Sequence, residues 1–465
     1  MRFSSFKTLA LAGTLAVLGA GCDGLLDTEP RQSVSPEVGL SDLSGVQGIL
    51  TSAYNRLQDV DTYGQRQIIA PEILADNAAI NDNPSGRYRG ESTNEIGTGV
   101  GGWTQWYRVI SDANYVLYGL TRVDAPEATR NRMRGEALFL RALAHHNLAR
   151  IYAYEPGREV NGFTQGVILR TQPTLALSEV DFRSRNSVQE VYQQIESDLL
   201  EAIQLLTASG GTNRYFATRG AAEGLLARVY LYAGRWADAE ARATNALAPT
   251  TTAARLATVA QVPTMFRTQP NPESLFEIAI NGTTETLGVN NAINPITTPA
   301  RWFDVVPSAE LQALYEPTDA RLAGWYAAGG ATGRYSTKFP GSVAVYTDHV
   351  PVLRVAEMLL IRAEARARQG NTAGAFADLN TLRAARAATP FDGSGDVIAL
   401  VMDERRRELA FEGHRWFDLK RLGMDIPKAA RTAAPAVPYA NFRILAPIPT
   451  AQVDLNPNLT QNPGY

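Results

Sequence analysis

Residues 353–386, which read LRVAEMLLIRAEARARQGNTAGAFADLNTLRAAR, contain the clearest structural pattern in the chain. Apolar and small residues recur there every three or four positions, which is the period of an amphipathic helix. Gly370 interrupts the run, and glycine readily adopts the left-handed conformation that ends many helices. The pattern therefore predicts two helices, over residues 351–369 and 372–387, that are joined by a tight turn.

The same layout occurs earlier in the chain, and small residues flank a glycine in both places. The matched positions are Ala227 and Ala363, Gly234 and Gly370, and Ala239 and Ala375. Small side chains let two helices approach closely, so each segment resembles a tetratricopeptide helical hairpin. One hairpin cannot bury its own apolar face, and several hairpins are therefore expected to stack. We predict a mainly α-helical protein, built as a tetratricopeptide-like superhelix of helix pairs.

The remaining periodic segments extend this prediction along the chain. Further helices are predicted over residues 40–60, 103–121, 127–153, 187–207, 222–233, 236–246 and 397–422. Residues 77–102 are rich in Asn, Gly and Ser and show neither helical nor strand periodicity, which predicts a long loop. Residues 249–350 are rich in Thr, Asn, Pro and Gly and contain short strand-like pieces. This second region predicts an irregular, loop-rich lobe inserted between the helical repeats.

Composition excludes several classes of function. Apolar residues make up 45% and charged residues 20% of the chain, as in proteins with a packed core. The 44 Lys and Arg are balanced by 47 Asp and Glu, so the dense positive charge that nucleic-acid binding needs is missing. A single cysteine and four histidines provide little material for a metal centre. No phosphate-binding loop, dinucleotide fingerprint or serine nucleophile motif is found. We therefore expect no catalytic residue, metal or cofactor.

The N-terminus predicts export and lipidation. Residues 1–21 read MRFSSFKTLALAGTLAVLGAG, a positively charged start followed by an apolar stretch and small residues, as in a secretory signal peptide. Cys22 follows directly and resembles the acylated cysteine of a bacterial lipobox. Residues 22–39 would then be a lipidated tether, and the lipid would be the attachment to the membrane. The alternative is an ordinary signal peptide with an incidental cysteine.

Three long motifs are similar to the SusD/RagB family of outer-membrane lipoproteins. They are residues 353–386, the stretch DERRRELAFEGHRWFDLKRLG at 403–423, and the ending PIPTAQVDLNPNLTQNPGY at 447–465. The resemblance runs from Cys22 to the C-terminus. It divides the chain into a SusD-like N-terminal helical region, residues 40–248, and a RagB/SusD C-terminal region, residues 249–465. The latter contains the insertion at about 249–350 and helices over 351–422.

The resemblance implies a function without catalysis. Family members lie on the outside of the outer membrane, cap a SusC-type TonB-dependent transporter, and help to deliver glycans or, in some members, peptides. A structural lid for the transporter, without contact to the nutrient, is an alternative. A hydrolase that uses the acidic helix at 403–412 is a third hypothesis. We favour a structural ion-pair network for Glu404 and Glu408, with Arg405 and Arg415 nearby.

Glycan binding predicts aromatic residues on loops rather than on helical stripes. Sugar rings pack their apolar faces on aromatic planes, while their hydroxyl groups bind polar side chains. Trp103 and Tyr107 lie on the predicted core face of a helix, so we do not expect them to contact a ligand. The candidate ligand-binding residues are Asn81, Asn83, Arg87 and Tyr88 in the first long loop and Trp302, Phe303, Trp325 and Tyr326 in the inserted lobe. Structural packing is the alternative for each of them taken singly.

Overall fold

A computed structural model describes residues 39–95, 100–176, 178–280, 286–341 and 346–465. The predicted signal peptide, Cys22 and residues 22–38 of the predicted tether lie outside these ranges. In the N-terminal part, the helices are α1 (Leu43–Asn55), α2 (Arg66–Ile73), α3 (Arg89–Ser92), α4 (Trp103–Gly119), α5 (Glu127–Tyr152), α6 (Val188–Ser209), α7 (Arg219–Tyr232) and α8 (Trp236–Leu247).

The C-terminal part begins with short elements and ends with longer helices. Its helices are α9 (Asn294–Thr297), α10 (Ala309–Gln312), α11 (Ala320–Gly324), α12 (Val355–Arg368), α13 (Thr372–Ala384), α14 (Val397–Leu409), α15 (Arg415–Arg421) and α16 (Thr450–Leu455). Short strands pair into two-stranded antiparallel sheets. They are β1 (Ala78–Ile80), β2 (Ser274–Ile278), β3 (Val305–Pro307), β4 (Tyr326–Ala328), β5 (Arg334–Ser336) and β6 (Val350–Arg354), in the pairs β1–β3, β2–β6 and β4–β5.

Consecutive helices pack against one another in a continuous stack. From α4 to α8 each helix contacts the next, and α8 then packs against α12, which in turn contacts α13 and α14. Between α8 and α12 the described chain forms only short strands and helical segments of three to five residues. The predicted fold class, a stack of helix pairs with an irregular lobe inserted, is therefore confirmed.

The two matched hairpins have the predicted turn. Gly234 and Gly370 adopt φ angles of 67° and 80°, in the left-handed region that glycine tolerates without a steric penalty. The flanking alanines of both hairpins are buried against the neighbouring helix. Small residues thus bring the helices together, and the glycine reverses the chain between them.

Two predicted helices have different bounds in the structure. Helix α12 begins at Val355 rather than at residue 351, because residues 350–354 form strand β6 and pair with β2. A short apolar run with both faces buried cannot be assigned to helix or strand from its periodicity alone. The predicted helix over 397–422 is also wrong, since it is broken into α14 and α15. Phe411 and Gly413, with φ angles of 62° and 79°, turn the chain at the break.

The predicted loop over residues 77–102 contains regular structure. It begins with strand β1, whose partner β3 lies in the inserted lobe, and it includes the single helical turn α3. A strand of three residues with a distant partner has too few residues to show a period. Helix α2 was not predicted, and it contains Pro71, a residue type that usually ends helices.

Candidate ligand-binding site

Strand pairing brings the two predicted ligand-binding loops together. Antiparallel β1 and β3 pair Ile80 with Val305, so the residues after β1 lie beside those before β3. The backbone amide of Asn81 extends this pairing by donating to the carbonyl of Asp304 at 2.8 Å. The loop at 81–88 and the segment at 302–304 therefore form one surface.

Hydrogen bonds of the Asn81 and Asp304 side chains hold this surface together. The Asn81 side-chain amide donates to the Phe303 carbonyl at 2.9 Å, and its oxygen accepts from the Ala331 amide at 2.8 Å. The buried Asp304 carboxylate accepts hydrogen bonds from the backbone amide and the hydroxyl of Ser85. Asn81 is buried and its polar atoms are used in these bonds, so it holds the two loops together rather than facing a ligand.

Arg87 and Trp302 form the most prominent pair on the surface. The Arg87 guanidinium lies over the indole ring of Trp302, 4.5 Å from its centroid. Two hydrogen bonds hold this guanidinium, one to the Ser85 hydroxyl at 2.9 Å and one to the Asn290 side-chain oxygen at 2.8 Å. The Trp302 indole N–H donates to the Val289 carbonyl at 3.2 Å. Both side chains are partly exposed and are held in one orientation.

Tyr88, the residue that follows Arg87, lies in the protein interior. Its backbone is left-handed, with φ 61°, and its ring is buried. The phenol donates to the Gln65 side-chain oxygen at 2.9 Å, and the Gln65 side-chain nitrogen donates to the Ala292 carbonyl at 2.6 Å. Burial raises the pKa of Tyr88, so the phenol stays protonated at neutral pH. Gln65, which directly precedes α2, therefore connects Tyr88 to the loop around Asn290.

A cavity of about 340 Å³ lies beside Arg87 and Tyr88. Next to it lies a more open depression of about 540 Å³, and both are bordered by Val60 and Asn291. Together they form a polar groove, which we call the Arg87 groove. Its first part is lined by Val60, Gln65, Arg66, Arg87, Tyr88, Glu91, Asn290 and Asn291. Amide and charged groups of this kind can bind hydroxyl groups through hydrogen bonds.

Asn83 and Phe303 lie near the same surface. Both have left-handed backbones, with φ 52° and 48°, and both side chains are at least partly exposed. The Phe303 ring packs edge-to-face on Tyr335 at a centroid distance of 5.8 Å. Ligand contact by these two residues stays a prediction.

The structure places Trp325 and Tyr326 elsewhere. Trp325 is 1% exposed, donates its indole N–H to the Val262 carbonyl at 2.9 Å, and packs against Phe266. The Tyr326 hydroxyl lies 3.0 Å from that of Tyr315 in the interior. They therefore do not line the Arg87 groove, and their burial favours a packing role over ligand contact.

Several groove residues were not among the sequence-based candidates. Gln65 and Arg66 stand at the start of α2, and Asn290 and Asn291 lie in the inserted lobe. The Asn-Asn pair in a loop-rich region was a usable signal, because asparagine side chains on loops are common hydrogen-bonding groups. Gln65 and Arg66 had no such signal, since α2 itself was not predicted.

The acidic helix at 403–412 forms a buried ion-pair network. Glu408 is completely buried and accepts from Arg321 at 2.9 Å, Arg354 at 2.6 Å and Arg386 at 2.8 Å. Burial disfavours the carboxylate, but the three guanidinium groups outweigh it and hold the pKa of Glu408 well below its usual range. A general acid needs the opposite shift, and this carboxylate is completely buried. The arrangement supports the structural interpretation of this helix.

The arginine partners of the network differ from those suggested by the sequence. Arg405 forms an ion pair with Asp418, and Arg415 forms one with Asp76. Arg354, by contrast, comes from strand β6 and reaches the network from outside the helix. The network thus connects α14 to the inserted lobe and to the helical stack.

Two family models match this chain. One, described as starch-binding and associating with the outer membrane, matches residues 25–231. The other, described as the SusD family, matches residues 324–465. They cover the two ends of the chain and leave most of the inserted lobe between them unmatched.

Within the described ranges, no helix is both long and apolar enough to cross a bilayer.

Relatives and solved structures agree with these matches. SusD-like protein P38 of Formosa agariphila is 24% identical, with 98% of each chain covered. The starch-binding protein SusD of Bacteroides thetaiotaomicron is 36% identical over 27% of this chain and 23% of its own length. One solved structure, from Bacteroides vulgatus, is titled a putative sugar binding protein. Its alignment covers 94% of this chain and 100% of that protein's chain at 27% identity, with a TM-score of 0.81.

Proposed function

Since the chain belongs to the SusD family, we propose that it is a cell-surface receptor that binds an oligosaccharide in the Arg87 groove. The protein then passes the oligosaccharide to a SusC-type TonB-dependent transporter. It binds the ligand without changing it, and acylated Cys22 anchors it to the outer membrane. The single observation that carries the binding proposal is the fixed Arg87–Trp302 pair at the edge of a polar groove.

The groove suits a sugar for two physical reasons. Trp302 lies next to the groove rather than in its lining, and Arg87 covers one face of its ring. The part of this partly exposed ring that Arg87 leaves uncovered offers an apolar surface to the C–H face of a pyranose, and the hydrogen bond to Val289 keeps the ring in place. Gln65, Asn290 and Asn291 surround the groove with amide groups, which can both donate to and accept from hydroxyl groups. A rigid site loses little conformational entropy when it binds, which favours affinity.

The length of the groove supports an oligomeric ligand rather than a monosaccharide. The cavity beside Arg87 and the depression near Thr51 and Asn55 share Val60 and Asn291 as lining residues. The combined space falls in the range of known ligand sites, which are roughly 300–1,000 Å³. Three or more sugar units in a row would use both parts.

Calorimetry with a panel of defined oligosaccharides tests the proposal. Maltoheptaose and laminarihexaose are titrated into the chain from residue 23 onward, together with xylo- and manno-oligosaccharides. We expect at least one to bind, and Trp302→Ala to weaken it at least about tenfold, or ~1.4 kcal/mol. Trp236→Ala is the matched control, because Trp236 also carries an arginine, Arg368 at 5.4 Å, but lies in the helical stack.

Two results would overturn the proposal. One is the absence of binding by every oligosaccharide in the panel. The other is an equal effect of Trp302→Ala and Trp236→Ala, which would show that the ligand does not contact Trp302 and would remove the observation that carries the proposal. In either case the structural-lid alternative gains support if the protein still co-purifies with a transporter.

A further inference from the structure

A second cavity, of about 340 Å³, lies between α4, the stretches 168–174 and 181–182, and the C-terminal helix α16. It has no lining residue in common with the Arg87 groove. We call it the α4 cavity.

Aromatic and aliphatic side chains form the floor of the α4 cavity. Trp103 and Tyr107 pack with ring centroids 4.9 Å apart, and the Tyr107 hydroxyl donates to the Ile168 carbonyl at 2.9 Å. Phe182 and Leu459 complete the floor. Since Tyr107 uses its hydroxyl proton within the protein, the floor presents mostly carbon atoms to a ligand.

Exposed apolar side chains occur in the lining of the cavity and in the chain next to lining residues. Leu455, which lines the cavity, is 65% exposed. Val180 is 75% exposed and Leu175 is 48% exposed, and each is the chain neighbour of a lining residue. An exposed apolar side chain in the lining of a concavity, as at Leu455, is typical of binding sites, because its hydration is unfavourable.

One cation at this site lacks a carboxylate partner. Arg170 is neutralised by Asp181, with a contact of 3.0 Å. Arg108 is exposed, and in the described part of the chain its side chain makes only a long hydrogen bond, 3.5 Å, to Gln105. Among the described lining residues, Arg108 is therefore the guanidinium that is available to an anion.

We propose that the α4 cavity binds a small apolar carboxylic acid, with its hydrocarbon body on the aromatic floor and its carboxylate at Arg108. The volume fits a ligand of about one aromatic side chain with a short acid arm, at the lower end of known ligand cavities. Guanidinium and carboxylate form charge-assisted, often bidentate hydrogen bonds, which orient the acid at the rim. This site is independent of the oligosaccharide proposal and does not rest on it.

Saturation-transfer NMR titrations with three probes test the inference. The probes are 3-phenylpropionate, its neutral isostere 3-phenylpropionamide, and acetate, which has the charge without the apolar body. We expect 3-phenylpropionate to bind, the amide to bind about fivefold more weakly, and acetate to show no saturable binding. Arg108→Gln should make acid and amide equal in affinity, and Ser111→Trp should block both by filling the cavity.

Arg122→Gln is the matched control, because Arg122 is also exposed and follows α4 but stacks on Tyr118 outside the cavity. It should keep the preference for the acid. Equal affinities of acid and amide for the unaltered protein would overturn the inference, as would a preserved preference in Arg108→Gln. Binding that persists in Ser111→Trp, in a variant whose thermal unfolding is unchanged, would place the ligand elsewhere and would also overturn it.

Discussion

The guanidinium of Arg87 and the indole ring of Trp302 lie 4.5 Å apart, although long stretches of chain separate the two residues. Their contact depends on strands β1 and β3, which pair the end of one loop with the start of the other. Arg87 is further held by the Asn290 side chain. The candidate site is thus a product of tertiary pairing between the helical region and the inserted lobe.

Arg87→Lys should weaken oligosaccharide binding about five- to tenfold. Lysine keeps the positive charge but cannot stack a planar group on Trp302 or reach Ser85 and Asn290 with the same fork of donors. Calorimetry measures the effect. Arg368→Lys is the control, because it alters the similar arginine–tryptophan stack at Trp236, away from the groove. Unchanged affinity in Arg87→Lys would contradict a role for the stacked geometry.

Asn81→Ala should lower the free energy of unfolding by about 2 kcal/mol, because two hydrogen bonds are lost and the Phe303 carbonyl and Ala331 amide are left without Asn81. Asn81→Asp places a carboxylate oxygen against the Phe303 carbonyl and a charge in a buried position, so its loss should be at least as large. Urea denaturation measures both variants. Unchanged stability in Asn81→Ala would contradict the role of this side chain in holding the two loops together.

Gly413→Ala should destabilise the protein by about 3 kcal/mol or more. A Cβ at this position would lie 2.1 Å from the Gln67 carbonyl oxygen, and the φ angle of 79° adds a penalty of roughly 1–2 kcal/mol. Gly393→Ala measures the penalty of the positive φ angle without the steric clash, because Gly393 has φ 88° but open space where a Cβ would lie. Thermal unfolding compares the two variants. Equal losses of stability in Gly413→Ala and Gly393→Ala would contradict the predicted clash, because they would show that α2 shifts away from the new Cβ at no cost in free energy.

Glu408→Gln should reduce stability by about 3–5 kcal/mol at pH 7, because it leaves three buried guanidinium groups without full compensation. The pKa of Glu408 is lowered in the folded state, so its stabilisation is fully present above the unfolded pKa of roughly 4.3 and is lost progressively as the pH falls from there through the lower folded-state pKa. The difference in unfolding temperature between wild type and variant should therefore narrow from pH 5 to pH 3.

Calorimetric scans across this pH range measure the narrowing. Glu240→Gln serves as the control, because Glu240 pairs with Arg366 at the surface and such pairs contribute less than about 1 kcal/mol. A constant difference between wild type and Glu408→Gln from pH 7 to pH 3 would contradict the assignment of a lowered pKa to this carboxylate.

Cys22→Ser in the full-length chain should release the protein from the outer membrane if the cysteine is acylated. One acylated cysteine is the anchor that the sequence predicts, and serine cannot form the thioether. Labelling of cells with a fatty acid, followed by membrane fractionation, measures both the lipid and the location. Label in the variant, or an unchanged membrane fraction, would contradict the lipid-anchor proposal.

Helical periodicity in the sequence was sufficient to predict those features that depend on residues close together in the chain. The bounds of α4 and α5 agree closely with the predicted helices, and the left-handed turn at Gly370 was predicted from one residue. These features depend on contacts three or four residues apart, which a sequence displays directly. The break between α14 and α15 was not predicted, because it depends on Gly413 packing against α2 from a remote part of the chain.

The composition and motifs of this chain determined by themselves a stack of helix pairs, an inserted loop-rich lobe and membership of the family. Only the tertiary structure decided which loop residues share a surface. In that structure Arg87 stacks on Trp302, Trp325 is buried, and the Asn81 side chain holds the two loops together by hydrogen bonds. The reason is physical: a helix is stabilised by neighbours along the chain, whereas a site between loops depends on strand pairs whose partners no local pattern reveals.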